Sequence, residues 1–252
     1  MTRASVRACQ ARRPPGDESE WRMATELLDH LRGKLIVSCQ AGPDEPLHGA
    51  SIMAAMARAA QAGGAAAIRA NGPDDIRAIR AAVALPIIGI YKRDYPDSEV
   101  YITPTQADAE AVASAGADMI ALDGTPRPRP GGLRLDDLIR YIHDSLRLPV
   151  MADISCLEDA RCAQQAEADV LATTLSGYTA HGRPARPGPD LDLIGELAQQ
   201  TRLPVIAEGR FFDPAQVADA LARGALAVVV GGAITRPQEI TRRFVQALAQ
   251  LG

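Results

Sequence analysis

Lysine is nearly missing from this chain: of 27 Lys and Arg residues, only Lys34 and Lys92 are lysines. Arginine stays protonated at any accessible pH, so burial can bring only these two long cationic side chains near neutrality. Aromatic residues make up 4% of the chain, and the apolar mass is aliphatic, which argues for helices packed on a parallel sheet over a β-sandwich. With a net charge of −4 and no aromatic ladder, the basic face and stacking platform of a nucleic-acid binder are both lacking. No apolar run approaches the roughly 18 residues of a membrane span. Cys9, Cys39, Cys156 and Cys162 form no Cys-x-x-Cys pair, and His30, His48, His143 and His181 are scattered without ligand spacing. The expectation is a reduced, cytoplasmic protein with no metal and no cofactor.

Residues 1–22 contain arginines, Pro14, Pro15 and Gly16 but not the apolar middle section of a secretory leader. The reading divides the chain into a mobile N-terminal extension, residues 1–25, and one catalytic domain, residues 26–252. Along that domain short β-rich runs recur: KLIVSC, AAAIR, PIIGIY, DMIALD, PVMADI, DVLATT, PVIAE and AVVVGG. Alanine-rich segments with helical periodicity separate them, such as SIMAAMARAAQAGG and FDPAQVADALARGA. Eight strands alternating with helices in about 250 residues predict an α/β fold, a closed (β/α)8 TIM barrel. Leu-Pro opens the runs at Leu85, Leu148 and Leu203, while AGG, AGA, AEA and RGA precede the others, a two-strand repeat. An open doubly wound sheet is the alternative topology.

In such a barrel the working residues sit at the C-terminal strand ends. Read in order, those ends carry Ser38 and Gln40, Arg69, Lys92, Asp123, Asp153, Thr173 and Thr174, Glu208, and Gly231 with Gly232. Strands 3 and 7 lie half a turn apart, so Lys92 and Glu208 are expected to extend toward the axis from opposite walls. An acid/base group on each face of a small molecule suits inversion of a stereocentre, without excluding an isomerase or an aldolase. The glycines of AEGR and VGGAITRP, after the last two strands, place backbone N–H groups where they can close on an anion. Arg236, at the start of the following helix, adds a candidate phosphate contact.

The segments GKLIVSCQAGPDEPLHG, GAAAIRANGPDDI, LPIIGIYKRDYPDSEVYITPT, GADMIALDGTPRPRP, MADIS, LATTLSGYT, LPVIAEGR and VVVGGAITRPQEIT together resemble the N-acylglucosamine-6-phosphate 2-epimerases, usually called N-acetylmannosamine-6-phosphate 2-epimerases. The resemblance runs from about Gly33 to the C-terminus. It implies a phosphate-binding (β/α)8 barrel that interconverts N-acetyl-D-mannosamine 6-phosphate and N-acetyl-D-glucosamine 6-phosphate in sialic acid and amino-sugar catabolism, without metal or organic cofactor. By resemblance, Lys92 and Glu208 fall on the catalytic motifs, and Gln40, Arg69 and Asp153 on those that contact the sugar. Gly209, Gly231, Gly232 and Arg236 fall on the phosphate-binding motif. A homo-oligomer, most simply a homodimer, is implied as well.

For the remaining candidates a structural role competes with a functional one. Cys39 reads as a small buried residue rather than a nucleophile, since no histidine adjoins it in a recognisable motif. Asp123 is placed either to orient Lys92 or Asp153 or to cap the next turn. Thr173 is a candidate supporting group. Tyr178, with His181, lies on a Gly- and Pro-containing loop that either covers the site or is ordinary surface. Two other functions stay open on the residues alone: a barrel using Lys92 as a Schiff-base nucleophile, and a non-catalytic sugar-phosphate sensor.

Overall fold

The computed structural model describes residues 18–249, with side chains from residue 24 onward. Its centre is a closed barrel of eight parallel strands in sequence order. They are β1 (Leu35–Cys39), β2 (Ala67–Asn71), β3 (Ile87–Ile90), β4 (Met119–Asp123), β5 (Val150–Asp153), β6 (Val170–Ala172), β7 (Val205–Glu208) and β8 (Ala227–Val230). Closure comes from β8 pairing back to β1, Leu35 beside Val228 and Val37 beside Val230. The open doubly wound alternative is thereby excluded.

Side chains alternate along each strand. Ile36, Ala67, Ile88, Met119, Met151, Val170, Ile206 and Ala227 fill the barrel interior. Their neighbours Val37, Ile68, Ile87, Ile120, Val150, Leu171 and Val205 point outward to a second core under the helices. Following the inward row toward the C-terminal rim, past its apolar layers, reaches Ser38, Arg69, Lys92, Asp123, Asp153, Thr174, Glu208 and Gly231. The two-residue period that buries the interior therefore also gathers the polar groups at one mouth.

The surrounding helices are α2 (Ala50–Ala62), α3 (Pro73–Ala82), α4 (Gln106–Ser114), α5 (Leu135–Tyr141), α6 (Leu157–Gln165), α7 (Leu191–Gln200) and α8 (Pro214–Ala222). Short α9 (Gly232–Thr235) and then α10 (Pro237–Ala249) follow β8. Local chemistry explains where they begin. Thr105 and Asp108 form a reciprocal capping box on α4, Asp190 caps α7, and Asp213 with Pro214 starts α8. Helix α3 opens with Pro73, Asp74 and Asp75 and carries Arg80 in its last turn, matching its macrodipole. No helix among the described residues is long and apolar enough to cross a membrane.

Ahead of β1 lies α1 (Glu18–Leu31). Leu31 is fully buried with the barrel-interior cluster, and Leu27 and Leu28 pack against the same cluster. His30 Nε2 lies 3.1 Å from the carbonyl of Ala66, at the entry to β2, so the helix stops the N-terminal end of the barrel. The boundary expected near residue 25 thus falls inside a helix, because leucines at 27, 28 and 31 make one apolar stripe that the barrel floor buries. Residues 1–17 of the expected extension lie outside the described residues.

Candidate active site

A cavity of about 310 Å³ opens at the C-terminal mouth, lined by Ser38, Gln40, Lys92, Tyr101, Thr174, Tyr178, Glu208, Gly209, Gly231, Gly232, Arg236 and Glu239, among others. Its size is at the lower end for small-molecule sites. A larger hollow of about 540 Å³ lies between residues 126–136 and α6. It contains none of the inward rim groups, so chemistry and not volume selects the smaller one.

Lys92 is held by its backbone. Past β3 the chain doubles back so that Lys92 bridges Ile102 in antiparallel fashion, while the Lys92 N–H donates to Asn71 Oδ1 at 2.8 Å. Thr103 closes this excursion at a φ of 44°, a costly conformation for a β-branched residue. Its buried hydroxyl accepts from Tyr91 N at 3.1 Å and donates to Ala121 O at 2.7 Å, which fixes the turn. The Lys92 side chain is open to the mouth. The walls around it still strip hydration from the ammonium and lower its pKa, and the Arg69 charge adds to that effect. Glu208 pulls the other way, and Arg236 lowers it again.

Glu208 ends β7. Its backbone is tied twice to the residue just after β6, with Glu208 N donating to Thr173 Oγ1 at 3.0 Å and Thr173 Oγ1 donating to Glu208 O at 2.9 Å. Its carboxylate meets Arg69 Nη1, and Thr174 Oγ1 lies 3.2 Å from Oε2. Burial raises the Glu208 pKa above the ordinary carboxylate range; Arg69 opposes the rise and Asp153 reinforces it. The next residue, Gly209, has a φ of 110°, which lets the chain turn sharply away from the carboxylate. Arg210 then sits at a φ of 58° and is anchored by Gly188 O at 2.8 Å and Ser176 O at 2.6 Å.

Arg69 and Asp153 occupy the floor beneath this cavity, with 1% and 0% of their side chains exposed. Both carboxylate oxygens of Asp153 are committed to Arg69, and Thr174 Oγ1 lies 2.6 Å from Oδ1. Burial alone would lower the Arg69 pKa, but Asp153 and then Glu208 hold it well above its ordinary value. Arg69 and Asp153 thus brace Glu208 from a buried position next to the residues that line the cavity. Gln40 does line the cavity: its Nε2 donates to Ser38 Oγ at 2.9 Å, leaving Oε1 buried with no partner among the described residues.

The Asp123 carboxylate is held by its own loop. Its Oδ1 accepts from Thr125 N at 2.9 Å and Thr125 Oγ1 at 2.6 Å, and Oδ2 accepts from Arg127 at 2.6 Å. Of its two readings, the turn cap is the one these contacts match. Thr173 supports backbone only, while its neighbour Thr174 reaches the carboxylates. Tyr178 is 61% exposed at the rim, with Arg210 5.4 Å from its ring centroid. Cys39 is buried, and desolvation followed by Asp75 pushes its pKa up to about 12, so it supplies no thiolate.

On the far side of the cavity, Gly231 caps α9, whose Thr235 hydroxyl donates to Ser38 O at 2.9 Å. Arg236 faces the cavity and is gripped by two carboxylates, Glu45 Oε1 at 2.8 Å and Glu239 Oε1 at 3.0 Å. Glu45 reaches over from the loop after β1 and also accepts from Gly42 N at 2.9 Å. Sequence reading missed Glu45, Glu239 and Tyr101. The glutamates sit on loop and helix surfaces with no strand-end signal, and Tyr101 arrives through the doubled-back segment after β3.

An inward ring of acid, base and anion-holding groups at one end of a closed (β/α)8 barrel defines a barrel enzyme acting on a small anionic molecule. Residues 53–250 match the NanE family model, described as "Putative N-acetylmannosamine-6-phosphate epimerase". A Clostridium perfringens relative bearing the corresponding 2-epimerase name is 51% identical over 88% of this chain and 100% of its own. One from Caldanaerobacter subterraneus is 49% identical over 88% and 94%. The solved N-acetylmannosamine-6-phosphate 2-epimerase of Clostridium perfringens superposes with a TM-score of 0.85 at 49% identity, covering 88% of this chain and 96% of that one. The chain belongs to the NanE family.

Proposed function

We propose that this protein interconverts N-acetyl-D-mannosamine 6-phosphate and N-acetyl-D-glucosamine 6-phosphate by proton transfer at C2. The observation that carries the reading is the pairing of Lys92, its pKa lowered, with Glu208, its pKa raised, beside the Gly231–Gly232 and Arg236 anion cradle. Both groups are shifted toward neutrality, which narrows the gap between them for giving and taking a proton. Family membership supplies the substrate class.

In the open-chain sugar the C2 hydrogen is α to the C1 aldehyde. One of the two groups takes that proton, and the C–H electron pair moves into a C1–C2 double bond, leaving an enolate oxygen at C1. The other group delivers a proton to the opposite face of C2, and the reverse reaction exchanges their roles. Gln40 Oε1 is placed to accept a hydrogen bond from the N-acetyl N–H or a hydroxyl. The brace of Arg69 and Asp153 fixes the Glu208 carboxylate and meets the sugar with Gln40, and Arg236 with the backbone of Gly209, Gly231 and Gly232 holds the phosphate. No step in this scheme needs a metal or organic cofactor.

The protein acts as a homodimer in the cytoplasm on this reading, its barrel a single catalytic domain. Support for self-association comes from α10, which buries none of its residues and leaves Phe244, Val245 and Leu248 59–71% exposed.

The test is incubation with N-acetylmannosamine 6-phosphate in D2O, followed by NMR at C1 and C2. Formation of N-acetylglucosamine 6-phosphate carrying deuterium at C2 is expected. Binding without conversion or C2 exchange would sink the proposal and turn attention to the sensor reading, whereas borohydride trapping of a Lys92 adduct would favour the Schiff-base one.

A further inference from the structure

We propose that Cys156, Asp159 and His181 form a binding site for a zinc-class divalent cation that pins the loop after β6 to the start of α6. The three residues do not share a sequence motif. Cys156 is the N-cap of α6, Asp159 lies in its first turn, and His181 comes from the next βα loop, 22 residues beyond Asp159. The barrel brings one sulfur, one carboxylate oxygen and one ring nitrogen within 4.8 Å of one another. Metal bonds of about 2.0–2.3 Å place ligand atoms roughly 3.3–3.8 Å apart in a tetrahedral site, so about an ångström of loop adjustment completes the geometry. A thiolate, an imidazole and a carboxylate together suit Zn²⁺ better than the hard cations Mg²⁺ or Ca²⁺.

Three further observations point to a cation here. Asp108, buried in the first turn of α4, and Asp123, at the end of β4, are faced by Arg93 and by Arg127, and Asp153 by Arg69. Asp159 is as deeply buried, yet the group that faces it is His181 at 2.9 Å, charged only when protonated. A bound dication would compensate this buried carboxylate as the arginines do the other three. Second, Asp159 is already oriented for coordination: Oδ2 accepts from Ser155 N at 2.9 Å and Ser155 Oγ at 2.5 Å, leaving Oδ1 toward the histidine. Third, Thr179 Oγ1 is buried without a partner among the described residues. A Cβ built at Gly182 would lie 2.5 Å from that hydroxyl and 2.6 Å from Ser155 Oγ, so both hydroxyls crowd the same point beside the cluster.

The site would act on the mouth. Tyr178 is three residues ahead of His181 and lines the substrate cavity, so a cation at His181 would anchor the segment that presents it. The proposal is independent of the epimerase reading.

Full-length protein freed of metal with a chelator would be titrated with Co²⁺. One equivalent is expected to produce a thiolate-to-cobalt charge-transfer band and the intense d–d bands of a tetrahedral site. Cys156→Ser should abolish the charge-transfer band and His181→Ala should weaken binding, while Cys162→Ser, further along α6, should leave both intact. Circular dichroism and a cooperative melt would establish that each variant is folded. In parallel, Zn²⁺ should slow amide exchange across residues 177–182 in the wild type but not in His181→Ala. Absence of the bands, or bands unchanged in Cys156→Ser, would overturn the proposal, as would Zn²⁺ leaving exchange in that loop unaltered.

Discussion

Arg69 and Asp153 face each other across the barrel interior as a two-point pair, Nη1 3.0 Å from Oδ1 and Nη2 2.5 Å from Oδ2. The same guanidinium reaches Glu208. One cation is therefore shared by two nearly buried carboxylates, and removing it strands both. Arg69→Ala should cost about 3–5 kcal/mol of stability in urea denaturation, the range for breaking a buried ion pair. Arg69→Lys should recover little of this, because a point charge cannot serve the fork. A loss under 1 kcal/mol would show that the brace is not structural.

Glu208→Gln keeps the shape of the side chain and one acceptor for Arg69 while removing the titrating group. The expected result is a fall in kcat of about 10²–10⁴-fold with a melting temperature close to wild type. Lys92→Ala should fall by a similar factor and lose C2 deuterium exchange. A kcat within tenfold of wild type in either variant would take that residue out of the proton path.

The pH dependence follows from the two shifts. Glu208 titrates above its ordinary 4.5 and Lys92 below its ordinary 10.5. Activity needs the pair to hold one proton between them. Going down in pH, both groups become protonated once the raised Glu208 value is passed; going up, both lose it beyond the lowered Lys92 value. The profile of kcat/KM should be a bell whose two limbs lie inside the interval between the ordinary values, and the limbs belong to the pair as a unit. A rate that climbs steadily through pH 10 would contradict this.

Arg236 is expected to act in binding. Its replacement by alanine should raise KM about 10–100-fold, the loss of a charge-assisted contact of about 1.4–3 kcal/mol, with kcat changed much less. The carboxylates Glu45 and Glu239 grip the same guanidinium, so phosphate has to share or displace them. Glu239→Gln should accordingly tighten phosphate inhibition, measured as a lower Ki. An unchanged KM in Arg236→Ala would move the phosphate elsewhere.

Two charges placed on the apolar face of α10, Phe244→Glu with Leu248→Glu, should shift the protein from dimer to monomer in sedimentation velocity. No helix contact inside the subunit is disturbed, since these side chains are exposed. Sedimentation unchanged by the double substitution would exclude this face as the interface.

Much of this architecture was readable because two periodicities coincide. Period-two alternation in LIVSC, MIALD and VIAE sets which side chains enter the barrel, and the last inward residue of each run is the polar one. Asp153 and Glu208, and Lys92 two residues past β3, fall on the inward row on that basis. Depth was not readable: Arg69 and Asp153 occupy rim positions but end below the cavity, because an arginine is long enough to cross the interior and pair with the opposite wall. Asp123 was ambiguous for a related reason, its partners Thr125 and Arg127 being local, so nothing in the spacing said which way the carboxylate would turn. Helix α1 was hidden by its neighbours, an arginine- and proline-rich start that masks the stripe of Leu27, Leu28 and Leu31.

That helix has a kinetic consequence. With Leu31 stopping the lower end and apolar layers filling the interior, the described residues leave the site open at the C-terminal mouth, and the two epimers enter and leave there in turn. Because one site serves both directions, each epimer competes with the other for it. Net flux can be set only by how fast neighbouring reactions drain one epimer or refill the other.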